Sequence, residues 1–152
     1  MKDDRIITGI IAGTSGSLGQ SLLTYLLVVL EISKIHYLLL AGDIFLYHDA
    51  VQTAYGLAVG FFADITIGSI WGIILAFIYP MMKMENAWFL KSIGFGLITW
   101  LIGIGFLERM FHVFPLLEKS PKSSLSLLAG SITFGLITSW MIKRITRKKP
   151  RL

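Results

Sequence analysis

Cysteine is absent from the chain, which excludes a disulfide, a thiolate metal site and a cysteine nucleophile. Histidine is scarce: His36, His48 and His112 are the only three, and all lie outside the long apolar runs, so none is placed to hold a haem between helices. Proline is also scarce, with Pro80, Pro115 and Pro121 falling between apolar runs. There is no glycine-rich phosphate loop, nucleophile elbow, zincin motif or paired-carboxylate signature. The sequence therefore points away from an enzyme, and no cofactor is expected. Charge is thin as well, at 15% of residues.

What fills the chain instead is apolar. The 152 residues are 55% hydrophobic with a mean hydropathy of +0.73, more apolar surface than a soluble domain of this length can hide. A bilayer core of about 30 Å is crossed by roughly 20 helical residues. Runs of that length occupy about 6–30, 54–79, 88–106 and 125–142. The expected fold is all-α: a polytopic membrane protein with four transmembrane helices in one domain, 1–152, ending in a basic tail, 143–152. The first run is too long for a secretory signal and lacks a small-residue cleavage site after it, so it is expected to be retained as a span.

The net charge of +5 is unevenly distributed. With a cytoplasmic amino terminus, ten cations lie inside: Lys2, Arg5, Lys83, Lys91, Lys143, Arg144, Arg147, Lys148, Lys149 and Arg151. Four lie outside: Lys34, Arg109, Lys119 and Lys122. The positive-inside rule then predicts both termini in the cytoplasm. The tail is expected to meet anionic lipid headgroups, not nucleic acid.

Between the first two runs, "SKIHYLLLAGDIFLYHDA" (33–50) has an apolar core too short to cross. His36, Asp43 and Tyr47 recur at helical spacing opposite Leu38, Leu39 and Phe45, which predicts a short helix in the outer interface. A re-entrant segment broken at Gly42 is the alternative.

Fourteen of the 15 glycines fall inside the four runs, where each weakens a helix unless neighbouring backbones approach closely. In the second run Gly56, Gly60, Gly68 and Gly72 form a ladder in which Asp64 takes the missing rung. The first run carries a matching stripe of Gly9, Gly13, Gly16, Gln20 and Thr24. At 1.5 Å per residue, Gln20 lies about 21 Å from its cytoplasmic end and Asp64 about 22 Å from its own. Spans one and two are therefore expected to pack ridge to ridge, with Gln20 bonded to Asp64 and with Ser21 or Thr24 in reserve. A hydrocarbon environment favours the uncharged acid, which would donate to the Gln20 carbonyl.

The three histidines, with Asp43 and Asp49, form a candidate outer polar or metal cluster of suitable ligand types but without a spacing signature. In "GIIAG" (Gly9–Gly13), "SKIHYL" (Ser33–Leu38) and its four-span length, the chain resembles a family of small integral membrane proteins of Gram-positive bacteria. The resemblance implies a bacterial cytoplasmic membrane and transfers no active-site residue. The expected function is a non-enzymatic accessory or scaffold subunit, or a homo-oligomer. The alternative is a small proton- or ion-coupled transporter or channel built on Asp64 and Gln20, since intramembrane carboxylates are functional by default.

Overall fold

The computed structural model describes residues 4–82, 87–107 and 121–147. Among them there is no strand, and four helices are long and apolar enough to cross a membrane. They are α1 (Arg5–Val29), α4 (Ala54–Ile78), α5 (Trp88–Trp100) continuing into a π-helical stretch (Leu101–Leu107), and α6 (Pro121–Arg147). Two short helices, α2 (Tyr37–Asp43) and α3 (His48–Val51), lie between α1 and α4. The chain is a multi-pass membrane protein.

Local chemistry fixes the helix ends. The Asp4 carboxylate accepts from the Ile7 N–H at 3.1 Å and caps α1. The Thr53 hydroxyl accepts from the Gly56 N–H at 3.1 Å and caps α4. Pro121 opens α6 in a position where its missing N–H costs nothing. At the far end of α1, Glu31 takes the left-handed conformation, φ 59°. Its N–H bonds to the Val28 carbonyl at 2.9 Å, and the Ile32 N–H to the Leu27 carbonyl at 3.0 Å, closing a Schellman turn without glycine. Helix α6 runs further than hydropathy predicts: residues 143–147 of the expected tail form its last turn and a half.

Helix α1 is central. It packs on α4 along one side and on α6 along the other, and α6 in turn carries α5. The glycine ridges account for this order, but not as a single ridge-to-ridge seam. Gly9 and Gly13 face Gly72 and Gly68 across α1 and α4, so closely that a Cβ on any of the four would meet backbone or the Ser17 hydroxyl. Gly16 instead faces Thr138 and Phe134 of α6, while Gly56 and Gly60 face the carbonyls of Ala50, Val51 and Leu38. The drift of about 40° per four residues carries the ends of each ridge away from the shared seam and onto a third element. A further close approach, Gly96 and Gly135 against Ser131 and Ser92, joins α5 to α6.

The outer helix also departs from expectation. Helix α2 is docked against the bundle, with Leu40, Ala41, Gly42 and Asp43 buried and α4 its main neighbour. His36 and Asp43, expected in solvent, are each only 6% exposed, whereas Tyr47 is 92% exposed. The groove left by Gly56 and Gly60 admits the α2 backbone, and that contact outweighs the polar pattern. The expected short helix between the first two spans is present, and Gly42 lies within it rather than breaking it.

Candidate functional site

Asp64 lies midway along α4, 4% exposed, on the face turned to α1. Three α1 side chains within five residues reach it. The Gln20 amide nitrogen donates to Oδ1 at 3.0 Å, the Ser21 hydroxyl donates to Oδ2 at 2.7 Å, and the Ser17 hydroxyl donates to the Asp64 backbone carbonyl at 3.0 Å. The Gln20 contact is the one expected, but its direction is reversed: Asp64 accepts. Ser21 is a full partner rather than a reserve, because residues 17, 20, 21 and 24 share one helix face. Thr24 is not a partner of Asp64. Its hydroxyl bonds back to the Gln20 carbonyl at 2.9 Å and receives the Tyr37 N–H at 3.4 Å.

Asp64 and Gln20 also border a cavity of about 90 Å³. Tyr37 of α2, Thr99 of α5 and Ser131 of α6 supply further oxygens to its wall, and Leu40, Ile67, Trp71 and Phe134 supply apolar surface. Tyr37 reaches in from α2, its hydroxyl bonded to the Ser131 hydroxyl and donating to the Leu127 carbonyl at 3.0 Å. Burial pushes the Tyr37 phenol well above its usual range, so it stays protonated as a hydrogen-bond donor. The π-helical stretch closes another side with Gly103 and Ile104. Such stretches are rare, and they widen a helix and redirect its side chains, often at functional sites. The cavity is larger than one water needs, and its several polar groups are the kind that hold water or an ion.

The other sequence candidates are not brought together. His36 sits at the start of α2 with its ring edge-on to Tyr25, centroids 5.7 Å apart. Its Nδ1 is buried without a hydrogen-bond partner, and burial lowers its pKa from 6.5. Asp43 is buried and Asp49 is exposed. The His48 side chain and His112 lie outside the described residues. Among the described residues no three His, Cys, Asp or Glu side chains gather as metal ligands. Sequence reasoning missed Tyr37, Thr99 and Ser131. The buried hydroxyls of α6, which include Ser123, Ser126, Ser131, Thr138 and Ser139, were the available signal, because they mark the face of α6 turned inward.

No protein-family model, curated protein or solved structure matches the chain.

Proposed function

We propose that the chain is a non-enzymatic protein of a bacterial cytoplasmic membrane, both termini cytoplasmic, that takes up a small cation or proton in the cavity at Asp64. The observation that carries this reading is the cavity itself. A carboxylate serving only to join α1 to α4 needs no space beside it, yet a mainly apolar cavity of about 90 Å³ lies against Asp64, and five helices each contribute an oxygen-bearing residue to its lining. One carboxylate with hydroxyl and carboxamide oxygens is a donor set for hard cations, and it is also a set along which a proton can move. Asp64 stands midway along a helix long enough to cross a bilayer, and small membrane transporters bind their ions near the bilayer midplane.

A second reading, a scaffold or accessory subunit, is favoured by the completeness of the α1–α4 seam: both Asp64 oxygens already have donors. Asp64→Asn separates the two. It keeps size and hydrogen bonding but removes the charge. In proteoliposomes containing the purified chain, a cation or proton gradient should relax faster than in empty vesicles. Asp64→Asn, folded and equally incorporated, should return the rate to the empty-vesicle value. A wild-type chain that leaves the gradient unchanged, or an Asn variant as active as wild type, would favour the scaffold.

A further inference from the structure

A second site lies at the end of the bundle where α6 finishes and α5 begins, and it owes nothing to Asp64. Trp140, Lys143, Arg144 and Arg147 are spaced i, i+3, i+4 and i+7, so they share one face of α6. That face is turned away from the buried Thr138, Ser139 and Ile142. Trp88, the first residue of α5, stands opposite. Together these five residues line an open cleft of about 410 Å³.

The cleft is built as alternating rings and cations. The Lys143 ammonium lies 4.9 Å from the centre of the Trp88 ring, and the Arg144 guanidinium 5.1 Å from that of Trp140. Each ring holds its cation in place while leaving the charge unneutralised, because a π face carries no net charge. Among the described residues, no carboxylate pairs with Lys143, Arg144 or Arg147. Two of the three cations are thus fixed against rings beside an apolar floor, and no carboxylate among the described residues neutralises them. The carbonyl end of α6 cannot supply the attraction, since that end of a helix repels anions; the side chains must.

We infer that this cleft binds the phosphate headgroup of an anionic phospholipid, one molecule per chain. A lipid is the source, rather than a soluble phosphate, for two reasons. Both walls belong to the ends of membrane-spanning helices, and their tryptophans mark headgroup level. The neighbouring Phe89 and Leu90 are 56% and 69% exposed, so an apolar surface for an acyl chain continues from the cleft along α5. This is a discrete pocket, distinct from diffuse attraction of the basic tail to a charged membrane.

The test is native mass spectrometry of the full chain in a mild nonionic detergent, titrated with phosphatidylglycerol and, separately, phosphatidylcholine. Wild type should retain one phosphatidylglycerol and discriminate against phosphatidylcholine. K143Q/R144Q/R147Q should bind it at least about tenfold more weakly. K148Q/K149Q/R151Q removes the same charge from the basic stretch that follows α6 in sequence and should change binding less than about threefold. Equal losses in the two triple variants would reduce the site to diffuse electrostatics and overturn the inference, as would undiminished binding in the cleft variant. Displacement of the lipid by an equal concentration of glycerol 1-phosphate would assign the cleft to a soluble phosphate and overturn it too. Should the cleft variant fail to fold by circular dichroism, Trp88→Ala keeps every cation and decides the matter: it must lose the retained lipid, and keeping it refutes the pocket.

Discussion

The Ser21 hydroxyl donates to Asp64 Oδ2 across 2.7 Å, from the helix turn that also sends Gln20 to Oδ1. Two adjacent residues of α1 thus divide one carboxylate between them, and the bond from each is measurable separately. In a double-mutant cycle of Ser21→Ala and Asp64→Ala, followed by unfolding in mixed detergent, we expect a coupling of about 0.6 kcal/mol and no more than about 1.7 kcal/mol. Additive single effects would show that the short contact contributes nothing.

Close helix approach predicts a sharp contrast among glycines. A side chain on Gly68 would run into Ser17, and one on Gly60 into the Leu38 carbonyl, whereas nothing lies within 4 Å of a Cβ on Gly94. Gly60→Leu and Gly68→Leu should each destabilise by about 1–3 kcal/mol or more. Gly94→Leu should leave the melting temperature in detergent nearly unchanged. Similar melting temperatures for all three would refute the packing assignment.

His36 gives a pH dependence whose sign is fixed. Burial lowers its pKa in the folded chain below 6.5, so the unfolded chain binds the proton more tightly. Its contribution to stability is therefore complete above pH 6.5 and declines as the pH falls below that value. His36→Leu should flatten this limb of the profile. Thermal unfolding from pH 7.5 to 5 in wild type and variant measures the difference, and superimposable slopes would count against it.

Orientation is tested from the two ends of α6. Lys122 and Arg147 are both exposed and lie at opposite ends of a 27-residue helix. Cysteine is otherwise absent, so each single replacement reports alone. Lys122→Cys should react with an impermeant thiol reagent in intact cells, and Arg147→Cys should not. The reverse labelling would invert the proposed topology.

The four spans were legible because membrane thickness imposes a length that composition alone reveals. The Gln20–Asp64 contact was legible because depth along two helices can be counted from their ends. Other features depend on three-dimensional closure. Gly16 belongs to a stripe in sequence but faces α6, since a stripe gives a helix face and not the identity of its neighbour. Tyr37 is a cavity wall because Gly60 lets the α2 backbone approach α4 closely, a contact that the pattern of residues 33–50 does not reveal. The π-helical stretch at Leu101–Leu107 has no composition that separates it from an ordinary apolar helix. The basic cleft was read as a tail because charge marks where a span stops more clearly than where a helix does.

The central place of α1 bears on how the protein is made. It precedes the other three spans in the chain and is the least hydropathic of the four, mean 1.2 against 2.0 for α4. Its polar residues, unsuited to lipid, find their partners on α4, whose Asp64 appears more than forty residues later, and its other flank waits for α6, the last of the four. The earliest of these four helices is thus among the last to be fully enclosed. Assembly must include a stage in which α1 is held near the insertion machinery or rests incompletely packed, and the native bundle closes only once the whole chain has been delivered.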